Sequence, residues 1–375
     1  MGLFSTFFKY LPISSRKIVF ANFNGKGYGD NPKYIAEEIL RQELKYDLVW
    51  LVDNSYSFYK KGIRCVSIHS RKGRFELSTA KVIINNVKNS LPYEKKSGQY
   101  YIQTWHGDLP LKYIEGEVED RLSPEYISQT KEDSKRIDLL LSGSRFMSDI
   151  YQQAFWYKGE ILEAGLPRND IFFRSTPGIV RHVKLLFNIP DTTRIALYAP
   201  TFRDDKWRFE FPHFQTIISC LEQKTDNKWV VIIRLHPNDL SRTAEINYSE
   251  QVINGTFYPD QQEIEKAADL LITDYSSMML DFMLQKKPVV LYSTDLDHFE
   301  QARGLRSIYY DLPLPICQNE VELKDALLSF QDNAYRESVT TFLNHRIGSF
   351  DSGIASKTVV EHIRTIVDGP SRSQA

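Results

Sequence analysis

The sequence predicts an α/β protein of two doubly wound domains with a cleft between them. Three observations carry that reading. Short runs such as Lys17–Phe23, Asp47–Val52 and Trp229–Leu235 are dominated by apolar and β-branched residues, as in strands buried on both faces of a parallel sheet. Helical stretches separate these runs, so strand and helix alternate along the chain. The 375 residues exceed what one hydrophobic core ordinarily holds, which favours two domains.

The first half opens with the strand Lys17–Phe23. A Gly-rich loop, Asn24–Pro32, follows it and leads into a helix ending near Gln42. The glycine spacing is not GxGxxG, and no lysine stands where a P-loop needs one. Asp47–Val52, Ile63–Ile68, Lys81–Asn85 and Tyr100–Trp105 read as further strands, and Arg71–Arg74 is a small basic cluster. Asp138–Leu141 is a strand, Ser142–Ser144 opens the helix Phe146–Phe155, and Glu160–Ala164 is a short strand. Arg181–Phe187 has a helical pattern and ends at Asn188–Asp191, where the domain boundary is expected.

The second half repeats the pattern. Ile195–Ala199 is a strand, Phe214–Gln223 a helix, Trp229–Leu235 a strong strand and Val252–Phe257 a minor one. Ala268–Tyr292 then reads as strand, turn, helix and strand. Its turn, Thr273–Ser277, is rich in hydroxyls, with Ser276 or Ser277 an N-cap for Met278–Gln285. Asp295–Arg306 is a polar loop or helix, Val321–Ser329 and Asn333–Phe342 are helical, and Ile354–Val367 is a terminal helix capped by Asp351 or Ser352. The expected domains are thus 1–185 and 190–350, with 351–375 a terminal helix and tail that packs back on the first.

Composition excludes several classes. Apolar content of 42% and charged content of 25% are ordinary for a globular protein. A net charge of −1 argues against a general nucleic-acid binder. Cys65, Cys220 and Cys317 are few, odd in number and far apart, which is no disulfide scaffold or zinc site. No apolar run reaches the length of a membrane span. Phe4, Phe7, Phe8, Tyr10 and Leu11, followed by Arg16 and Lys17, would suit a shallow anchor at a membrane surface or a helix packed on its own domain.

Candidate chemistry gathers at strand ends, where open α/β sheets bind ligands. His106 leaves the strand Tyr100–Trp105, Gly107 clears space beside it, and Lys112 is close in sequence. His236 leaves Trp229–Leu235, which also delivers Arg234. Ser276, Ser277 and the N–H groups behind them suit a phosphate; an ordinary capped helix explains them equally. A lone histidine at a strand end is more often structural than catalytic, and Arg234 reads most simply as an ion pair between domains.

Several segments, in order, resemble the CDP-glycerol glycerophosphotransferases, the teichoic acid primases and polymerases. They are Asn31–Glu38, Tyr101–Lys112, Ala154–Asp170, Ala196–Asp204, Ile232–Asn238, Ala268–Phe282, Arg303–Asp311 and Phe350–Ser356. One departure stands out: Asp108-Leu109 separates Gly107 from Pro110 where the family often reads His-Gly-Thr-Pro-Leu-Lys, which loosens the role of Lys112. The resemblance implies a GT-B architecture of two Rossmann-like domains. It also implies transfer of glycerol phosphate from CDP-glycerol to a hydroxyl of a lipid-linked or polymeric glycan acceptor, in teichoic acid or capsule synthesis. His106 and His236 would be catalytic, as base and as donor to the diphosphate in either order. Gly107, Arg234, Thr273, Asp274, Ser276, Ser277 and Arg303 would bind substrate, with Lys112 and Asp351 as further candidates. No cofactor is firmly implied and no metal ligand set is found. The expected place is the bacterial cytoplasm, peripheral at the inner face of the membrane. The alternatives are transfer of another CDP-activated polyol phosphate such as ribitol phosphate, a nucleotide-sugar glycosyltransferase, and a non-catalytic scaffold.

Overall fold

The computed structural model describes residues 8, 10–53, 57–88, 91, 93–203 and 209–369. Of the apolar N-terminal segment, Phe4 and Phe7 lie outside the described residues. The chain forms two compact units. The first comprises the described parts of Met1–Asp108, Ile114–Asp170 and Ser349–Ala375; the second comprises Leu109–Tyr113 and Ile171–Gly348.

The first unit is built on seven parallel strands, β1 (Lys17–Ala21), β2 (Asp47–Val52), β3 (Ile63–Ser67), β4 (Val82–Asn85), β5 (Tyr100–Gln103), β6 (Leu139–Ser142) and β7 (Glu160–Glu163). Their order is β3-β2-β1-β4-β5-β6-β7. Alternate residues face opposite sides of a sheet, and β1 shows it. Val19 and Ala21 pack with Val49, Ile83, Met147 and Tyr151. Ile18 and Phe20 pack with Trp50 and Ile84, with Ile35 and Ile39 of the helix Asp30–Arg41, and with Val359 and Ile363 of the terminal helix. Both faces are covered, hence the near-continuous apolar runs.

That terminal helix spans Ala355–Asp368, and neither Asp351 nor Ser352 caps it. Asp170 does so from elsewhere in the unit: its two carboxylate oxygens accept from the N–H groups of Ala355 (2.9 Å) and Ser356 (2.8 Å). The long-range partner satisfies two of the orphan donors that a local side chain was expected to meet.

The second unit repeats the scheme with β8 (Arg194–Tyr198), β9 (Trp229–Ile233), β10 (Val252–Asn254), β11 (Leu270–Thr273), β12 (Val289–Tyr292) and β13 (Ile316–Cys317), in the order β10-β9-β8-β11-β12-β13. The boundary falls after Asp170, earlier than the expected 185–190. The helix Pro177–Leu186 packs on Gln261–Ala267 and therefore belongs to the second unit. In both units the strand order reverses beside the first strand, between β1 and β4 and between β8 and β11. The carboxyl ends there form the usual ligand crevice of such sheets.

Candidate active site

His106 in the first unit and His236 in the second each lie just beyond a strand end, and the surroundings of the two differ. In the first unit β5 stops at Gln103 and the chain turns through Trp105, whose φ is +50°. That turn is held from several directions. The Gln103 side-chain carbonyl accepts from the Trp105 N–H at 2.9 Å, and Asn31 donates to the Trp105 carbonyl at 3.1 Å. Arg168 donates to the His106 carbonyl at 2.8 Å while pairing with Asp30 at 2.9 Å. Asn31 and Arg168 are almost wholly buried. Gly107, next in sequence, is buried.

The His106 imidazole has its Nδ1 2.8 Å from the Asn86 carbonyl. A carbonyl only accepts, so Nδ1 carries the proton and Nε2 is left as a bare base. Trp105 lies against the ring with centroids 4.1 Å apart. Burial lowers the His106 pKa from its ordinary value, opposed by the Asn86 hydrogen bond and Asp30 and reinforced by Arg168.

The second unit's histidine is arranged the other way. His236 stacks on Phe202, centroids 5.4 Å apart, and its Nδ1 accepts from the Asn238 N–H at 3.1 Å. In the neutral ring Nε2 then bears the proton and is a donor. The residue is exposed on the whole, but partial desolvation, then Lys112 and Arg234, lower its pKa.

Lys112 belongs to this unit. Its ammonium is half-buried and sits 5.2 Å from the Phe299 ring centroid. Among the described residues it has no carboxylate partner. Desolvation lowers its pKa to about 8, with Arg303 and Arg203 adding to the shift against Asp274. Arg303, at the end of the helix Leu296–Arg303, is half-buried too.

Other expected binding residues are already engaged. The Thr273 hydroxyl donates to the Ala199 carbonyl at 2.6 Å. Asp274 accepts from the N–H groups of Thr201 (2.8 Å) and Tyr275 (2.6 Å) and from Arg203 (2.9 Å). Arg203 also pairs with Asp295 at 2.8 Å. Thr273 and Asp274 thus shape the turn and leave Ser276 and Ser277, both half-buried, as its presented hydroxyls. Ser276 Oγ accepts from the Met278 N–H at 3.3 Å, and Ser277 makes no cap bond. The helix that follows is Met278–Met283, shorter than expected. Because β9 ends at Ile233, the Arg234 side chain turns to the carbonyls of Gly255 (3.2 Å) and Tyr258 (2.7 Å). Through these bonds it anchors the backbone within the second unit. Asp351 likewise accepts from Leu166 N–H (2.8 Å) and Asn169 (3.2 Å) within the first unit. Asp108 accepts from the Gly143 N–H at 2.9 Å, and a Cβ on Gly143 would lie 2.8 Å from it. No cluster of three or more His, Cys, Asp or Glu suited to a metal occurs among the described residues.

Asp30, Asn31, Asn86, Arg168 and Arg203 escaped the sequence reading as site residues. Asn31, Arg168 and Arg203 stand inside three of the segments that carried the resemblance, and each makes long-range bonds.

The sequence profile of the CDP-Glycerol:Poly(glycerophosphate) glycerophosphotransferases matches residues 3–365. The "Teichoic acid glycerol-phosphate transferase" of Staphylococcus aureus is 31% identical over 96% of this chain and 96% of its own length. The "Teichoic acid poly(glycerol phosphate) polymerase" of Staphylococcus epidermidis is 31% identical over 92% of this chain, which spans only 50% of that larger protein. A solved structure of the wall teichoic acid polymerase TagF superposes with a TM-score of 0.83 at 30% identity, over 95% of this chain and 90% of that one. The two parallel α/β units are those of the GT-B type. With the profile covering nearly its whole length, the chain belongs to the CDP-glycerol:poly(glycerophosphate) glycerophosphotransferase family.

Proposed function

We propose that the chain transfers glycerol phosphate from CDP-glycerol to an acceptor hydroxyl, releasing CMP. The observation that carries this reading is the opposite hydrogen bonding of the two histidines. One offers a bare Nε2 and the other an Nε2–H, which are the complementary groups such a displacement needs. His106 Nε2 takes the proton of the acceptor hydroxyl as its oxygen attacks the glycerol-bearing phosphorus. The bond from that phosphorus to the CMP oxygen breaks, and its electrons leave with CMP. His236 Nε2–H, Lys112 and Arg303 meet the charge growing on the diphosphate, and the hydroxyls of Ser276 and Ser277 hold its oxygens.

The acceptor is read as a lipid-linked or polymeric glycan of the teichoic acid or capsule type. Work at the inner membrane face is supported by exposed Arg71, Lys72, Arg74 and Phe75 on the helix Arg71–Thr79. Four cationic or apolar side chains together suit an anionic surface. Purified protein supplied with CDP-glycerol, CDP-ribitol and UDP-sugars, each with a glycan or poly(glycerol phosphate) acceptor, tests the donor. CMP release from CDP-glycerol with acceptor mass gain is the expected result; UDP release alone, or ribitol transfer alone, refutes it.

A further inference from the structure

Phe23 has no part in the chemistry above, yet it is held in an unfavourable conformation beside it. It follows β1 with φ +40°, and Asn24 after it has φ +60°. A bulky residue at such an angle is a steric outlier, kept only where the surroundings force it. Burial does not repay it, because the side chain is 38% exposed. What forces it is Asn86, whose Oδ1 accepts from the Phe23 N–H at 2.9 Å. Asn86 Nδ2 in turn donates to Asn22 Oδ1 at 2.8 Å, and Asn22 donates to the Lys26 carbonyl at 3.1 Å. The main-chain carbonyl of the same Asn86 fixes His106. One residue therefore sets both the imidazole and the phenyl ring. Their centroids are 5.4 Å apart with planes tilted by 60°.

An exposed phenyl ring offers no hydrogen bonds; it takes the C–H face of a ligand. We propose that Phe23 forms the floor of the acceptor subsite, receiving the C–H face of the polyol or sugar unit whose hydroxyl His106 deprotonates. This rests on the reading of His106 as the base.

The test compares wild type with Phe23→Asn and Phe23→Tyr. Asparagine tolerates positive φ, so Phe23→Asn should fold at least as stably while lacking the ring. With CDP-glycerol saturating, a short poly(glycerol phosphate) oligomer and an alkyl glycoside are titrated as acceptors. Phe23→Asn is expected to raise the acceptor KM about fivefold to tenfold, with the donor KM moving less than about twofold, while Phe23→Tyr stays near wild type. Preference for oligomer over glycoside, or the reverse, identifies the acceptor unit. Equal movement of both KM values, or of neither, overturns the subsite. Saturation-transfer NMR with the two probes alone, without donor, separates this from the transfer reading. If wild type releases no CMP but binds a probe through its C–H protons, and Phe23→Asn loses that signal, the transfer reading fails and the subsite stands. If Phe23→Asn binds both probes as wild type does, the subsite is wrong whatever the transfer assay shows.

Discussion

The two units share the strand order around their switch points and each carries a histidine shortly past the end of a β-strand, but they prepare that histidine for opposite work. In the first unit a carbonyl, that of Asn86, takes the Nδ1 proton. In the second an N–H, that of Asn238, is given to Nδ1. One inverted hydrogen bond converts a proton acceptor into a proton donor at the far side of the same ring. The two histidines follow non-equivalent strands, β5 and β9, on opposite sides of the switch points of their sheets, so the atom facing the back of the ring, and not a repeated place in the fold, supplies the chemistry.

The sharpest way to break this comparison is with asparagine at each position. His106→Asn and His106→Ala both remove a base, so both should lower kcat by about 10³-fold. His236→Asn keeps an N–H donor and should fall less than His236→Ala, by about tenfold against about 10²-fold. Equal losses for Asn and Ala at His236 would mean that it does more than donate. A smaller effect is expected at Arg168, which acts by holding the His106 carbonyl. Arg168→Lys should cut kcat about 10-fold with little change in donor KM, and a change in donor KM alone would count against a positioning role.

The pH profile sharpens the contrast further. The His106 pKa is lowered from 6.5, so the base form persists and the acid limb of kcat/KM should fall below that value rather than above it. Lys112 is charged only below its pKa of about 8. Donor binding should therefore weaken as pH rises through about 8, and Lys112→Arg should move that limb upward by about two units or more, since guanidinium stays protonated. An unmoved limb would exclude Lys112 as its source. Smallest in activity, Asp170→Ala removes the charge-assisted cap of the terminal helix. It should cost about 1–2 kcal/mol of stability in urea unfolding with kcat changed little.

How much of this was legible beforehand follows from the range of each interaction. Strands such as Trp229–Ile233 and the helix Asp30–Arg41 are encoded by local pattern and fall where periodicity predicts. His106 and His236 stand out because a titratable ring follows an apolar run. The parts that local pattern does not show depend on partners outside the local segment. Asp274 was expected to bind substrate, and its partner Arg203 arrives from far upstream. Arg234 was expected to bind substrate or to pair between domains, and its side chain donates to the carbonyls of Gly255 and Tyr258. Asp351 and the terminal helix needed Asn169 and Asp170, nearly half the chain away. A sequence shows which groups need partners and not which distant group arrives.

The cap provided by Asp170 also bears on how the protein is made. Chains emerge from the ribosome in one direction, and a domain ordinarily closes as its last residue appears. Here the first unit is still incomplete after Asp170 has been synthesised, because Val359 and Ile363 fill one face of its sheet. All of the second unit except Leu109–Tyr113, that is Ile171–Gly348, is translated in between. A nascent chain halted before Ser349 should thus carry a finished second unit beside a first whose β1 layer still exposes an apolar face, a natural client for chaperones until the final helix docks.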